Sequence, residues 1–227
     1  MSYTLQDVAS TIDHAVLKPN QTESDLRADA AMCLKYGVAS MCVRPCDIPL
    51  AAELLRNSDV RVSTVLSFPH GADATPIKAA QAARAIEDGV HEIDMVMNIG
   101  QFLSGNMDKV RADIQAVVEV AHSCNVLVKV IQESCFLTLE QVAEACKLSL
   151  EAGADFVKTS TGFGPSSATP EIIDVMVRTV GGKMGVKASG GIRTWDQAVG
   201  YLEQGATRLG IGATETVLRG GVSDSDY

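Results

Sequence analysis

The sequence predicts a single (β/α)8 barrel, an α/β fold in which eight parallel strands alternate with helices. Eight short runs rich in apolar and β-branched residues recur along the 227 residues, separated by longer runs with helical apolar spacing. No Gly-x-Gly-x-x-Gly turn follows the first strand, which disfavours the alternative, a doubly wound open sheet. The length fits one barrel, so we expect one domain over residues 1–221 and a flexible polar tail over residues 222–227.

The predicted strands are 11–16, 39–43, 61–68, 92–97, 126–131, 155–159, 185–188 and 208–211. Apolar residues at helical spacing place the crossover helices at 26–36, 50–55, 77–86, 110–121, 142–150, 172–180 and 198–202. Threonines mark several helix starts, two as capping boxes and two followed by proline: Thr138, Thr194, Thr75 and Thr169. Glycines follow four helical runs, where a left-handed residue ends a helix: Gly37, Gly89, Gly153 and Gly205.

Composition excludes several function classes. The formal net charge of -9 argues against nucleic acid or an anionic membrane surface as a partner, because a polyanion requires clustered positive charge. The first residues lack a basic segment followed by an apolar core, and no run approaches the roughly 18 apolar residues of a membrane span. We therefore expect a cytoplasmic protein. The six cysteines and four histidines show no metal-ligand spacing, so we expect free thiols and no bound metal.

Four ionisable side chains lie within apolar strands: Asp94, Lys129, Lys158 and Lys187. A lysine cation is costly to bury, so a strand that carries one usually presents it to a cleft where the amine is used. For either Lys158 or Lys187 alone, a side chain that reaches from a strand end to water is an equal alternative. For Asp94 the alternative is a buried acid bonded to backbone or lysine. In a barrel, reactive groups gather at the carboxyl ends of the strands.

The two lysines on successive strands indicate amine chemistry on a carbonyl. A lysine nucleophile must be neutral, whereas the unperturbed pKa of a lysine side chain is about 10.4. A second ammonium nearby and an apolar wall both favour the neutral amine. Lys187 would supply the like charge beside Lys158, and Asp94 would move protons. This chemistry requires no cofactor.

Glycine pairs follow the last two predicted strands, where barrels usually bind phosphate. Gly190 and Gly191 come after strand 7, and Gly210 and Gly212 lie at strand 8. Glycine lets backbone N–H groups approach an anion, and a helix N-terminus adds a favourable dipole. The alternative is that these glycines only turn the chain.

With these residues in view, the chain resembles the deoxyribose-phosphate aldolases, a class I aldolase family, over almost its whole length. The resemblance is carried by residues 11–14, 40–45, 92–98, 129–131, 156–163 and 186–193. It implies reversible cleavage of 2-deoxy-D-ribose 5-phosphate to acetaldehyde and D-glyceraldehyde 3-phosphate, without a cofactor. It also implies that Lys158 forms the Schiff base, that Lys187 perturbs it and joins proton transfer, and that Asp94 donates and accepts protons.

Further site residues and a homodimer come with the resemblance. Asp13 and Lys129 would belong to the supporting polar network, and Cys42 would lie near the reacting aldehyde, with a buried inert thiol as an equal alternative. Tyr227 would return to the site mouth for proton transfer, with a disordered end as its alternative. The substrate-binding or supporting group is completed by Thr159, Gly162, Gly190, Gly191, Arg193, Gly210 and Gly212.

One departure from the family pattern concerns the phosphate. Relatives usually carry hydroxyl side chains after strand 8, whereas this chain has Ile211, Gly212 and Ala213. Each missing charge-assisted hydrogen bond costs on the order of 1.5 to 3 kcal/mol, so we expect weak phosphate discrimination.

Three rival functions stay open at this stage. The nearest is another Schiff-base aldolase or transaldolase that accepts a ketone-derived donor. The others are a barrel isomerase with an acid/base pair and a metabolite-binding protein without catalysis, both of which the lysine pair disfavours.

Overall fold

Eight parallel strands close into one barrel in chain order. The structure is a computed structural model and describes residues 3–224. The strands are β1 (Ile12–Val16), β2 (Ser40–Val43), β3 (Arg61–Leu66), β4 (Glu92–Val96), β5 (Leu127–Ile131), β6 (Phe156–Lys158), β7 (Gly185–Ser189) and β8 (Arg208–Ile211). Each strand pairs in parallel with the next, and β1 pairs with β8 to close the barrel. The predicted (β/α)8 fold is confirmed.

Helices alternate with the strands. Within residues 3–224 they are α1 (Leu5–Ala9), α2 (Glu23–Tyr36), α3 (Ile48–Leu55), α4 (Thr75–Glu87), α5 (Ile99–Leu103), α6 (Met107–His122), α7 (Leu139–Glu151), α8 (Pro170–Val180), α9 (Trp195–Glu203) and α10 (Thr214–Leu218). The sequence analysis missed α1, α5 and α10. Each has five residues, which is too short to show an apolar repeat at i, i+3, i+4 and i+7.

The helix caps agree with the sequence in all but one case. Thr138 and Thr194 form the predicted capping boxes, and Thr169 caps α8. The prediction that Thr75 caps a helix is wrong, because α4 begins at Thr75 itself and has no side-chain cap. The Thr75 hydroxyl instead donates to Asp113 on α6 at 2.8 Å, so tertiary contact outweighs local capping. The glycines that follow helices have positive φ angles, namely Gly37, Gly89, Gly153 and Gly205.

Six strands are shorter than predicted, four by one residue and the third and sixth by two. The third ends at Leu66 rather than at residue 68, because Ser67 has a positive φ of 52° and leaves the extended conformation. The sixth covers Phe156–Lys158 rather than 155–159. The Asp155 carboxylate accepts from the Val128 amide at 2.8 Å. This side chain therefore bonds to β5 just before β6 begins.

The apolar core lies between the strands and the helices. Ile93, Met95, Val128, Val130 and Val157 are fully buried in this layer. Their neighbours in sequence, among them Asp94 and Lys129, point to the opposite face, because side chains alternate along a strand. The barrel interior is therefore polar where these strands run.

Ser223 is bonded to the connection between β7 and α9. The Ser223 amide donates to the carbonyl oxygen of Arg193 at 3.0 Å, and Ser223 is buried. Tyr227 lies outside the described residues. The division into a domain over residues 1–221 and a flexible tail over residues 222–227 therefore stays a prediction. No helix in the described part of the chain is long and apolar enough to cross a membrane.

Candidate active site

Asp94 on β4 contacts three lysine side chains at the centre of the barrel. Its Oδ1 lies 2.8 Å from Lys129 Nζ, and its Oδ2 lies 2.9 Å from Lys158 Nζ and 2.7 Å from Lys187 Nζ. All four side chains are buried. They come from the adjacent strands β4, β5, β6 and β7, whose register aligns Asp94 with Lys129 and Lys158 with Lys187. The structure thus brings together the three predicted catalytic residues and Lys129.

Two further carboxylates and an arginine complete a central cluster of seven residues: Asp13, Glu92, Asp94, Lys129, Lys158, Lys187 and Arg208. Asp13 Oδ2 lies 2.5 Å from Lys187 Nζ, and Asp13 Oδ1 lies 2.6 Å from Arg208 Nη1. Glu92 Oε2 lies 2.6 Å from Lys129 Nζ and 2.8 Å from Arg208 Nη1. Asp13 therefore belongs to the polar network in which the sequence analysis placed it.

The cluster holds its carboxyl groups ionised. Burial opposes ionisation of Asp94, but Lys129, Lys158 and Lys187 outweigh it and keep the pKa of Asp94 well below its ordinary value. Asp13 has a lowered pKa in the same way, since Lys129, Lys187 and Arg208 together outweigh its burial. Conversely, burial disfavours the charge on Lys129, but its acidic neighbours raise the pKa of Lys129 above the ordinary lysine value. Lys129 is therefore a permanent cation and not a nucleophile.

The sequence analysis missed Glu92 and Arg208. Each is the first residue of its strand. A charged residue at that position is easily taken for part of the exposed loop before the strand. The available signal was spacing, because Glu92 lies two residues before Asp94 and shares its face. Arg208 likewise lies two residues before Gly210, which pairs with Asp13.

The predicted phosphate glycines occupy two kinds of position. Gly190 and Gly191 have φ angles of 79° and 71° and form the turn between β7 and α9. Consecutive left-handed residues of this kind require glycine. Gly212 lies in the turn between β8 and α10, whereas Gly210 lies within β8. A side chain on Gly210 would overlap Ser189 Oγ and lie 3.3 Å from Lys187 Cε, so Gly210 keeps the barrel interior open.

Thr159 fastens β6 to β7. Its hydroxyl donates to the Ser189 carbonyl oxygen at 3.1 Å and accepts from the Ser189 amide at 3.1 Å. Thr159 is fully buried, so its side chain supports the strands that carry Lys158 and Lys187.

Glu133, another residue that the sequence analysis missed, clamps the loop after β6. Its Oε1 accepts from the Thr161 amide at 3.2 Å, and its Oε2 accepts from the Thr161 hydroxyl. Glu133 is buried and has a left-handed backbone, with φ 48° and ψ 62°, which is uncommon for a residue with a side chain. This conformation directs its carboxylate at the loop that contains Gly162.

Apolar side chains from β1, β2 and β3 and the segments that follow them form a second buried cluster. Ala15, Leu17, Cys42 and Val65 form one buried cluster against which Phe68 packs. Burial raises the pKa of the Cys42 thiol, and the charge of Asp94 adds to this effect while the lysines oppose it. Cys42 thus lies within electrostatic reach of the central cluster, but as a neutral thiol in an apolar wall.

Two aromatic rings meet at the barrel mouth. Phe68 follows β3 and Phe163 follows β6, and their ring centroids are 5.3 Å apart at an interplanar angle of 88°. This edge-to-face geometry is favourable for aromatic pairs. The contact joins loops on either side of β4 and β5.

Comparison with known proteins identifies the family of the chain. A family model described as DeoC/LacD family aldolase matches residues 8–222. The chain belongs to this aldolase family. A deoxyribose-phosphate aldolase of Clostridium perfringens is 46% identical over 222 residues, which cover 98% of this chain and 99% of that protein. One of Thermococcus gammatolerans is 47% identical over 216 residues, which cover 94% of this chain and 96% of that protein.

A solved structure extends the likeness to three dimensions. The deoxyribose phosphate aldolase of Aeropyrum pernix, described as a unique tetramer, matches with a TM-score of 0.89 and 31% identity. The match covers 95% of this chain and 91% of that chain. The present aldolase is therefore a carbon–carbon lyase of this type.

We expect this aldolase to lose stability steeply in acid. The pKa values of Asp13, Asp94 and Glu92 are lowered on folding, so the stability they contribute is present above the unfolded values of about 4 and is lost as the pH falls below them. Glu92→Gln should flatten this loss by up to about 1.4 kcal/mol per pH unit, because one proton fewer is taken up. Urea unfolding between pH 3 and pH 7 measures it.

The control for the acid experiment is Glu23→Gln, which removes an exposed carboxylate paired with Arg27 on α2. Its slope with pH should match that of the unmodified aldolase. Equal slopes for the Glu92 variant and this control would contradict a linked, buried cluster.

Glu133→Ala should loosen the loop after β6. Two buried donors on Thr161 would lose their acceptor, which costs about 1 to 3 kcal/mol. Glu133→Gln keeps one carbonyl oxygen for the Thr161 amide and should recover part of this loss. Limited proteolysis between residues 162 and 168, together with urea unfolding, measures both effects. A Glu133→Ala variant that resists proteolysis as well as the parent aldolase would show that the clamp is dispensable.

Proposed function

We propose that this aldolase reversibly cleaves 2-deoxy-D-ribose 5-phosphate to acetaldehyde and D-glyceraldehyde 3-phosphate through a Schiff base on Lys158. The observation that carries the proposal is the shared carboxylate oxygen, Asp94 Oδ2, which lies within hydrogen-bond distance of both Lys158 Nζ and Lys187 Nζ. Relatives nearly half identical over almost the whole chain bear the name of this activity. They support the choice of substrate.

Charge balance favours Lys158 as the nucleophile. The central cluster contains three carboxylates and four basic groups, and Arg61 adds a solvent-exposed contact to Glu92. Six of the seven groups are buried and Arg208 is largely covered. Burial penalises net charge, so the seven groups balance when one base is neutral. Among the described residues, Lys158 contacts one carboxylate, Asp94, whereas Lys187 contacts both Asp94 and Asp13. Loss of the proton from Lys158 therefore sacrifices the least ion pairing.

The proposed cleavage begins when neutral Lys158 Nζ adds to the C1 aldehyde of the open-chain sugar. The carbinolamine oxygen takes a proton and leaves as water, which forms the protonated imine. A base removes the proton of the C3 hydroxyl, the C2–C3 bond breaks, and its electron pair moves toward the imine nitrogen. D-Glyceraldehyde 3-phosphate leaves, and the enamine accepts a proton at C2. Hydrolysis of the resulting imine frees acetaldehyde and Lys158.

Asp94 and Lys187 take different parts in the proton transfers. The lowered pKa of Asp94 keeps its carboxylate ionised, so it holds both lysines by hydrogen bonds and stabilises positive charge on either one. Lys187, held between Asp13 and Asp94, is the proposed donor to the departing oxygen. Because both lysines contact the same oxygen of Asp94, a proton needs to move only between neighbouring atoms.

The phosphate would bind at the turns after β7 and β8. Gly190 and Gly191 present a left-handed turn just before the N-terminus of α9, a geometry suited to anions. Arg193 lies on the same connection, and Gly162 lies in the neighbouring loop held by Glu133. These contacts support the proposed phosphate site.

The tail and the homodimer are further proposals. The anchoring of Ser223 beside Arg193 supports the proposed return of Tyr227 to the site mouth for proton transfer.

The tetrameric relative supports self-association of this aldolase. The rival ketone-donor aldolase is separated by offering acetaldehyde and dihydroxyacetone as alternative donors.

Trapping with borohydride tests the nucleophile. Acetaldehyde with borohydride should add one ethyl group to Lys158, located by peptide mass spectrometry, and Lys158→Ala should abolish both this adduct and sugar cleavage. Lys187→Leu should still be trapped, but with its pH profile moved to higher pH, because the like charge that favours the neutral amine is removed. Lys129 serves as the internal control. An adduct on Lys129 or Lys187, or none at all, would contradict the proposed function.

Gly212→Ser and Ala213→Ser test the phosphate site. Each adds a hydroxyl donor after β8 and should lower the KM for 2-deoxyribose 5-phosphate by about ten- to a hundredfold, the equivalent of about 1.5 to 3 kcal/mol. Unphosphorylated 2-deoxyribose is the matched control, and its KM should change little. If neither serine alters a strong existing preference for the phosphorylated sugar, the backbone and Arg193 already suffice.

A further inference from the structure

Ser189 has a buried hydroxyl that the proposed mechanism does not use. It ends β7 and is fully buried. Its amide and carbonyl oxygen are bonded to Thr159, but its Oγ has no hydrogen-bond partner within the part of the chain that the structure describes. A buried hydroxyl without a partner costs about 1 to 3 kcal/mol, so such a group calls for an explanation.

The Ser189 hydroxyl lies inside the barrel near Lys187. Ser189 is two residues after Lys187 on the same strand and therefore shares its inward face. It pairs with Gly210 of β8, where a built Cβ would overlap Ser189 Oγ and lie 3.3 Å from Lys187 Cε. The hydroxyl thus occupies interior space that a side chain at residue 210 would fill.

The serines at the other end of the barrel are satisfied. Ser40 Oγ donates to Asp13 Oδ1 at 2.6 Å and lies 2.8 Å from Ser63 Oγ. Among the described residues, three buried serine hydroxyls have no partner, and all lie at or just after the carboxyl ends of strands, where barrels bind their substrates: Ser134, Ser160 and Ser189. Of these three, Ser189 is the one that lies on a strand.

Ser189 also lies between the two ends of the proposed substrate. Lys187 comes two residues before it, and the Gly190–Gly191 turn follows directly. At about 3.3 Å per residue, the strand from Lys187 to Gly190 spans about 10 Å. A chain that joins an imine at the lysines to a phosphate at the glycines passes Ser189 in its middle. The middle of the acceptor aldehyde carries a hydroxyl on the carbon next to the carbonyl.

We propose that Ser189 is a specificity residue whose hydroxyl hydrogen-bonds this acceptor hydroxyl, the C4 hydroxyl of the sugar. This inference rests on the proposed function. It explains why a hydroxyl is kept unpaired in the barrel interior and why residue 210 has no side chain. Substrate binding supplies the missing partner.

The test compares two acceptors that differ in one hydroxyl. Acetaldehyde is condensed with D-glyceraldehyde 3-phosphate or with 3-oxopropyl phosphate, which lacks that hydroxyl. Ser189→Ala should lower the ratio of kcat/KM for the first acceptor over the second by about tenfold, the effect of one hydrogen bond. The variant should be at least as stable as the parent in urea, because an unpaired polar group is removed.

The matched control is Ser149→Ala. Ser149 is also fully buried, but its hydroxyl donates to the Ala145 carbonyl oxygen within α7 at 2.8 Å. This variant should lose stability and keep the parent ratio of acceptors. The control separates a general effect of removing a buried serine from recognition of the substrate.

The outcomes distinguish this inference from the proposed function. An unchanged acceptor ratio in Ser189→Ala, or an equal loss with both acceptors, overturns the role of Ser189 while Schiff-base trapping on Lys158 still stands. Loss of stability in Ser189→Ala would show that its hydroxyl has a structural partner. Failure of the parent aldolase to form the Lys158 adduct removes the proposed function itself.

Discussion

The structure depends on a carboxylate that is fully buried and bound to three lysines. Removal of Asp94 would leave Lys158 with no carboxylate contact among the described residues and would take one contact each from Lys129 and Lys187, and loss of one partner from a buried pair costs about 3 to 5 kcal/mol. The lysines in turn require Asp13 and Glu92, and these two require Arg208. Each added charged side chain pairs with an oppositely charged neighbour already in the cluster. The network ends where Ser40 and Arg61 bond its outermost carboxylates.

This polar interior moves the apolar core outward. In an ordinary barrel, branched apolar side chains fill the interior in layers. Here six adjacent strands, β4 to β8 and β1, carry charged residues on their inward faces, so the buried apolar residues lie mainly between the strands and the helices. The helix layer therefore supplies most of the hydrophobic stabilisation, and the interior is free to serve chemistry. Stability and reactivity occupy opposite faces of the same strands.

The parts of the molecule that the sequence revealed are those with a local signature. Charged residues within apolar strands revealed Asp94, Lys158 and Lys187, and threonine capping patterns revealed the starts of α7, α8 and α9. Glu92 and Arg208 were missed because a charged residue at the start of a strand looks like the end of the preceding polar loop. The contact between Glu133 and the loop after β6 depends on a left-handed backbone conformation at Glu133. The unpartnered hydroxyl of Ser189 depends on the space that Gly210 leaves because it has no side chain. Neither is visible without coordinates.

The contact between Phe68 and Phe163 makes the mouth of the barrel asymmetric. It joins the loops after β3 and β6 and closes the rim above β4 and β5, while the rim beside β7, β8 and β1 carries the glycine turns. Under the proposed function, a sugar phosphate with its carbonyl at Lys158 and its phosphate at the glycine turns would lie with its anionic end nearest the solvent. The small aldehyde on the lysine would then be the inner of the two fragments. Product release would follow a fixed order, because the phosphorylated fragment would have to leave before the smaller one.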